Sequence, residues 1–493
     1  MTIAPLATRQ PGRLTADPSR VITELFVPGH YLPSDDDARA SGVVDHILAL
    51  DDDQVTATLH DLVQRFGTRH RNLDETFRHH ASRIGNRLPV GAVLSEARWS
   101  LLGATFTHEY AVEAAALCNP SAVVALDQSG SPSGSLRFVM SVRQIGEGHR
   151  SSIGFRTGTL GHDGAVTTDP TPAVTTAATI RRGDLEAEAF RGLADGLDED
   201  AGASRWVLDR LGERFTVSEL DVWLALLNEQ HDTRQNVGGT VRRLRQLVDR
   251  TYTADFDPTS ELGERVLYPY AAVEANGMED ARFVRFVDDD GSITYYATYT
   301  AFDGSAIVQQ LLATRDFLTF TSSPLLGFAA ANKGLALFPR RINGRFAALS
   351  RHDGGRNAIA YSEDIRQWPS AIPIACPVAP WEAVQVGNCG PPVETDAGWL
   401  VLTHGVGPMR TYSIGAWLLD RDDPSKLLGR LEQPLLAPLP DERDGYVPNV
   451  VYSCGAVLHR GTLLIPYGIG DASIGFATVE LTALLAAMDT VDP

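Results

Sequence analysis

Apolar positions along the chain change period several times. From about residue 38 to 87 they recur at helical spacing, with Val43, Val44, Ile47 and Leu48 followed by Val55, Leu59, Leu62, Val63 and Phe66. The stretch before them, residues 1–35, is polar and proline-rich at its start and predicts an extended arm. Strand-like text dominates from Val90 to about Thr168, including residues 121–126 and 136–142. A second helical region is predicted from roughly residue 184 to 252. Beyond it, four segments echo one another at a spacing of roughly 50 residues, each reading strand, polar turn, strand. They are 295–300 with 308–314, 345–351 with 358–362, 399–404 with 412–419, and 463–467 with 473–479. The first three are followed by an aspartate: Asp316, Asp364 and Asp420.

No helix of βαβ length separates these strands, which argues against a doubly wound parallel sheet. Four echoes plus the strand-rich stretch at 95–160 predict an all-β core, a five-bladed β-propeller with added N-terminal and inserted α-helical segments. The expected division is an arm and helical extension over 1–94 and a propeller over 95–493, interrupted by the helical insertion at about 184–252.

Composition narrows the function. The 493 residues are 43% hydrophobic and 21% charged, ordinary values for a globular chain. The formal net charge of −19 argues against a nucleic-acid surface, which requires a basic stripe to displace counterions. The runs at 215–226 and 241–248 resemble a helix-turn-helix, but without surplus basic charge they read as an appended helical layer. No run approaches the roughly 18 apolar residues of a membrane span, and the N-terminus lacks a signal-peptide core. The four cysteines (118, 376, 389 and 454) follow no disulfide or metal spacing, so free thiols and a cytoplasmic location are expected. His70, His79 and His80 cluster in sequence, yet adjacent histidines on a helix diverge. No metal and no cofactor is expected.

The chemistry then rests on polar residues that the repeat brings to equivalent places. Glu279 and Asp280 are adjacent carboxylates after a glycine turn, in Glu274-Ala-Asn-Gly-Met-Glu-Asp-Ala-Arg282. Alone, this segment is equally an acidic surface turn. Lys333 precedes an apolar strand. Arg351 and His404 both end an alternating apolar strand, His352 and Asp353 following the first. Two cation-capable groups at one rotational position are what an oxyanion or phosphate pocket needs. The turn Gly146-Glu-Gly-His149 lies among Arg143, Arg150 and Arg156, a set that suits anions or sugar hydroxyls or a plain charged hairpin. Its glycine spacing matches neither nucleotide-binding loop.

On these residues the chain resembles glycoside hydrolase family 130, from about Ser95 to the C-terminus. The matching stretches are Phe106-Thr-His-Glu-Tyr, Asn119-Pro-Ser121, Gly146-Glu-Gly-His-Arg-Ser-Ser-Ile, Asn276-Gly-Met-Glu-Asp-Ala-Arg282, and Asn332-Lys-Gly with Leu337-Phe-Pro. Two more are Gly398-Trp-Leu-Val-Leu-Thr-His-Gly-Val406 and Tyr446-Val-Pro-Asn-Val-Val-Tyr-Ser-Cys-Gly455. The helical extension resembles that of longer members acting on β-1,2-linked mannooligosaccharides. The resemblance implies inverting phosphorolysis of β-mannosides to α-mannose 1-phosphate, with inorganic phosphate as co-substrate. Asp280 would be the general acid, acting through a hydroxyl of the bound mannose. It implies a phosphate cradle of Ser121, Arg143, Lys333, Arg351, His404 and Tyr412. Sugar contacts would come from Asn119, Arg156, Asn276, Glu279, Arg282, Asp303, Asp353 and Asp471. One position departs from the family: Gln385 stands where many phosphorylases carry a lysine, which keeps an inverting β-1,2-mannosidase in view. A non-catalytic glycan-binding propeller is the alternative of another class. Trp381, Tyr299 and Tyr446 are candidate sugar-stacking aromatics, with core packing the competing role. Homo-oligomerisation through the helical segments stays open; nucleic-acid and membrane partners are not expected.

Overall fold

The computed structural model describes residues 5–28, 36–183, 185–187, 190–192, 201–230 and 237–491. The core is all-β. Five successive groups of antiparallel strands follow the chain, and in each later group the paired echoes of the sequence form a hairpin. The first group holds Ala116–Val124, Leu136–Ile145, Ser151–Leu160 and Val166–Thr168. The second holds Gly277–Val287, Ile293–Phe302, Ile307–Thr314 and Thr319–Pro324, with Tyr252–Asp255 and Thr179–Arg181 on its outer edge. The third runs Ala336–Leu337, Phe346–Ser350, Asn357–Ser362, Ile372–Ala375. In the fourth, Gln385–Asn388, Gly398–Val406, Tyr412–Leu419 and Leu427–Arg430 are neighbours. The fifth is built on Thr462–Ile469 and Ser473–Glu480, with Val451–Tyr452 at its inner edge.

Each group touches the next at its inner strands, and the fifth touches the first. Gly277 bridges Ser151, Thr298 Oγ1 bonds the Leu335 carbonyl, Asn388 Nδ2 donates to the Gly334 carbonyl at 2.9 Å, and Tyr412 bridges Val450. Ser121 bridges Gly455, while the Cys454 N–H donates to the Pro120 carbonyl at 2.8 Å. Buried apolar side chains fill the seams between groups, among them Phe155, Phe283 and Tyr295, then Phe338, Trp399 and Trp417.

Two recurring acids hold the loops. The aspartates after the second strand of each echo cap turns: Asp316 Oδ1 accepts from the N–H groups of Leu318 and Thr319, Asp364 Oδ1 from Arg366, and Asp420 Oδ1 from Asp422 and Asp423. Buried glutamates close short 3₁₀ turns ahead of inner strands. Glu274 accepts from Tyr270 and Ala271, Glu382 from Val378 and Ala379, and Glu442 from Leu439.

The helical text folds as helices, in two layers. Asp36–Ala49, Asp52–Phe66 and Leu73–Ile84 pack with a further helix, Glu96–Thr105. That last helix falls in the stretch read as strand-like. Ser95 caps its N-terminus, its side chain accepting from the Arg98 N–H, and Gly103 lets it approach so closely that a Cβ there would lie 1.7 Å from the Phe77 carbonyl oxygen. The second layer comprises Ala201–Leu208, Val217–Gln230 and Val237–Asp249, around its own core of Val207, Leu220, Leu224, Leu227, Leu244 and Leu247. Among the described residues no helix is long and apolar enough to cross a membrane.

The arm is built into the sheets. Val21–Leu25 pairs with Thr107–Ala111, and Ala7–Arg9 and Leu14–Thr15 pair with Ser473–Glu480. Arg9 reinforces this closure. Its Nη2 lies 2.9 Å from Glu442 Oε2 and 2.8 Å from the Ala437 carbonyl. Glu442 is buried, so removing its counter-charge leaves a desolvated carboxylate. Arg9→Ala is therefore expected to destabilise the protein by about 2–4 kcal/mol, measured by urea denaturation.

Candidate active site

Two β-bulges face each other at one end of the strand groups. In Gly277–Val287 the pairing steps from Glu279↔Thr300 to Arg282↔Thr298, so Asp280 and Ala281 oppose one residue. In Ala116–Val124 it steps from Cys118↔Arg143 to Ser121↔Ser141, so Asn119 and Pro120 do the same. Asp280 and Asn119 have φ of 55° and 47°, a left-handed conformation that Asp and Asn tolerate better than most residues. The bulges turn both side chains toward one another, and Asn119 Nδ2 donates to Asp280 Oδ1.

Around this pair lies a cavity of about 330 Å³. Nine residues selected from the sequence line it: Asn119, Arg143, Asp280, Arg282, Lys333, Arg351, His404, Tyr412 and Asp471. Arg143 pairs with Glu279 at 2.6 Å and Asp280 at 3.5 Å, and donates from Nε to Ser151 Oγ at 2.9 Å. Arg282 is buried and donates to the carbonyls of Cys389 and Asp280 and to the Tyr452 hydroxyl. Burial opposes the charge on Asp280, but Arg143, Arg282 and Lys333 outweigh it and hold the carboxyl below its ordinary range. Glu279 moves the other way, because burial and the adjacent Asp280 outweigh Arg143. Asp471, at the tip of the last hairpin with φ 48°, is pushed up to about 6 by burial and by Asp280.

The opposite wall is different. Arg351 is buried, and among the described residues no carboxylate lies within ion-pair distance of it; its Nε has no hydrogen-bond partner. Burial lowers its proton affinity and the like charge of Arg282 adds to this. Its guanidinium stem lies against Gly387 and Gly334. His404 is buried between Tyr412 and Tyr452, with ring centroids 6.1 and 5.0 Å away, and its Nδ1 is unbonded. Burial, with Arg351 and Arg282, keeps this imidazole neutral, so His404 brings hydrogen bonding to the wall and no charge. Lys333 reaches the cavity from an exposed position.

The other candidates lie elsewhere. Ser121 is fully buried behind the wall, its Oγ accepting from the Phe283 N–H at 3.0 Å. Glu279 meets the site through Arg143. Arg156 is on the other face of its sheet, in a buried network with Glu113, Arg20 and Gln144. It opposes Met140, three positions from Arg143, and the two-residue period of a strand sends 140 and 143 to opposite faces. Asn276 is exposed beside Gly304, and Asp303 and Asp353 accept backbone N–H groups of their own turns. Four polar lining residues without an assigned role in the sequence join the cavity: Asn332, Arg410, Tyr452 and Gln385. Tyr452 sits in the run Val450-Val-Tyr452, which reads as plain strand, and Arg410 comes from a turn with φ 54°. The cluster of histidines stays apart: His70 bonds Glu109 and His80 bonds Thr107. Among the described residues no group of three His, Cys, Asp or Glu side chains is arranged to hold a metal.

Two expectations follow. A Cβ at Gly387 would lie 2.2 Å from Arg351 Nε, far inside van der Waals contact with this side chain. Gly387→Ala should displace Arg351 and lower kcat/KM by about 100-fold, with circular dichroism unchanged. Asp471, whose carboxyl is raised in the folded state, opposes folding once ionised. The penalty is absent below the unfolded pKa near 3.8, grows toward pH 6 and stays above it. Asp471→Asn should thus raise stability by about 1–3 kcal/mol at pH 8 and by little at pH 4, in parallel denaturation curves.

Residues 258–490 match the family model Glyco_hydro_130, described as beta-1,4-mannooligosaccharide phosphorylase. A 1,2-beta-oligomannan phosphorylase of Thermoanaerobacter sp. (strain X514) is 38% identical over 213 residues, 42% of this chain and 70% of that one. A beta-1,2-mannobiose phosphorylase of Listeria innocua is 31% identical over 230 residues, 45% of this chain and just under two thirds, 63%, of that one. The solved structure of the Listeria innocua beta-1,2-mannobiose phosphorylase in complex with beta-1,2-mannobiose superposes with a TM-score of 0.43 at 20% identity, covering 75% of this chain and 99% of the other. By the extent and identity of the sequence matches, the chain belongs to glycoside hydrolase family 130.

Proposed function

We propose that the five strand groups are the blades of a five-bladed β-propeller, and that the cavity at one end is the active site of an inverting β-mannoside phosphorylase. Its substrates are β-1,2-linked mannooligosaccharides, as the names of its relatives in two genera support. The ring of contacts from the first group round to the fifth and back supports the propeller reading. The observation that carries the reaction is Arg351, a buried guanidinium with no carboxylate within ion-pair distance among the described residues. An uncompensated buried charge costs several kcal/mol, and an anionic co-substrate held there with Lys333, His404 and Tyr412 removes that cost.

Inorganic phosphate in this position attacks the anomeric carbon of a mannose lying over Asp280. The bond from phosphate oxygen to carbon forms as the glycosidic carbon–oxygen bond breaks. The proton for the departing oxygen comes from Asp280, relayed by a mannose hydroxyl, and inversion gives α-mannose 1-phosphate and a shortened glycan. Phosphate arrives ionised, so no second carboxylate is needed as a base. The acid must carry a proton, yet without phosphate the surrounding cations favour its ionised form. Phosphate neutralises part of that field and raises the proton affinity of Asp280, so the co-substrate and the catalytic proton bind cooperatively. Conserving the bond energy as a sugar phosphate suits a cytoplasmic enzyme. Gln385, a neutral side chain on the cavity wall, is the feature that favours the hydrolytic alternative.

Incubation with β-1,2-mannobiose, with and without phosphate, decides between them. Phosphate-dependent mannose 1-phosphate is expected; free mannose formed equally fast without phosphate would mean a hydrolase, and no turnover a binding protein. Asp280→Asn should abolish product formation while tightening inorganic phosphate by about fivefold at pH 8, since one opposing charge is gone; calorimetric titration reads this.

A further inference from the structure

Three aromatic side chains were candidates for stacking on sugar, and the structure separates them. Tyr299 is fully buried, with its hydroxyl on Glu274. Trp381 donates its indole N–H to the Glu432 carbonyl at 2.9 Å, and its ring occupies the space above Gly405 and Gly415. Tyr446 alone of the three is exposed, at 44%.

Tyr446 is also next in the chain to a residue of the cavity wall. The next residue, Val447, lines the cavity and donates its N–H to the Gly470 carbonyl, one position before Asp471. The Tyr446 hydroxyl is paired with His149 Nδ1 at 2.8 Å, the two rings 5.7 Å apart at 42°. His149 belongs to the turn between Leu136–Ile145, which carries Arg143, and Ser151–Leu160. It has φ 62°, after Gly148 at 61°, a costly conformation for a residue with a Cβ. The turn of the first strand group and the segment leading into the fifth therefore meet through this pair, and Tyr446 keeps part of its ring exposed. The cavity wall that holds Val447 also holds Asp471 and Arg410, and among the described residues no carboxylate lies within ion-pair distance of Arg410.

A pyranose has an apolar C–H face and a rim of hydroxyls, so an exposed aromatic ring next in the chain to a cavity that holds a guanidinium and a carboxylate matches it on both counts. The donor sugar lies inside, over Asp280, and the acceptor must extend toward the opening. We propose that Tyr446, held by His149, is the platform on which the first acceptor sugar rests, with Arg410 and Asp471 meeting its hydroxyls. The proposal rests on the reading of the cavity as a mannoside site. It makes Tyr446 a specificity-determining residue for the leaving glycan and leaves the donor sugar and phosphate untouched.

Binding in the Asp280→Asn protein, where no turnover interferes, tests this whether phosphate or water is the nucleophile. The probes are β-1,2-mannobiose, which fills both sugar positions, and α-mannose 1-phosphate, which fills only the donor and phosphate positions. Adding Tyr446→Ala should weaken mannobiose by about fivefold and leave mannose 1-phosphate within experimental error. Tyr446→Phe, which keeps the ring and loses the brace, should fall between. Equal affinity of Tyr446→Ala and its parent for mannobiose would overturn the platform, as would an equal loss for both probes. Failure of the parent to bind either probe would instead refute the mannoside reading on which the proposal stands.

Discussion

An ionised carboxylate set against one buried and one part-buried arginine organises the whole end of the molecule that holds the cavity. Asp280 is buried, and the cost of burying its charge is offset by Arg143, Arg282 and Lys333, reached from three different strand groups. Arg282 is in turn tied to Cys389 and Tyr452, so the fourth and fifth groups are locked to the same charge. A change in this balance is felt across all five groups at once. The same field that fixes the architecture sets the protonation of Asp280, so stability and the proposed acid catalysis share one set of residues here.

The contrast between the two cavity walls gives the site its direction. Asp280, Glu279 and Asp471 share the cations on one side. On the other, Arg351 has no carboxylate within ion-pair distance among the described residues and is packed against glycines, next to a neutral imidazole. One side is electrostatically balanced and the other carries an excess of positive charge. That asymmetry suits a reaction in which one reactant donates a proton from one face and an anion attacks from the opposite face.

Much of this was legible in the sequence. The alternating apolar runs and their echoes located the hairpins, because a strand half-facing its neighbours must alternate. Arg351 and His404 stood out as polar residues ending such runs. Residues whose role depends on pairing between distant strands were harder to see. The bulges that turn Asn119 and Asp280 inward leave no mark except short polar residues able to take positive φ, and Tyr452 is hidden in an apolar run. Arg156 was selected because it lies among other arginines, whereas counting strand parity from Arg143 would have sent it to the far face. The helix at Glu96–Thr105 was missed because its decisive contact, Gly103 against Phe77, is tertiary.

The closure of the fifth sheet by the arm has a consequence for how the chain reaches this state. Gln10 bonds Thr478, 468 positions further on, and Ala7–Arg9 finds its strand partner only in Ser473–Glu480. During synthesis these first residues emerge long before the strand they complete, and must wait unpaired while the other sheets form. Contacts of such sequence separation are formed late and slowly. The arm thus acts as the last fastening, and until it docks the molecule has an open strand edge to shield from its neighbours.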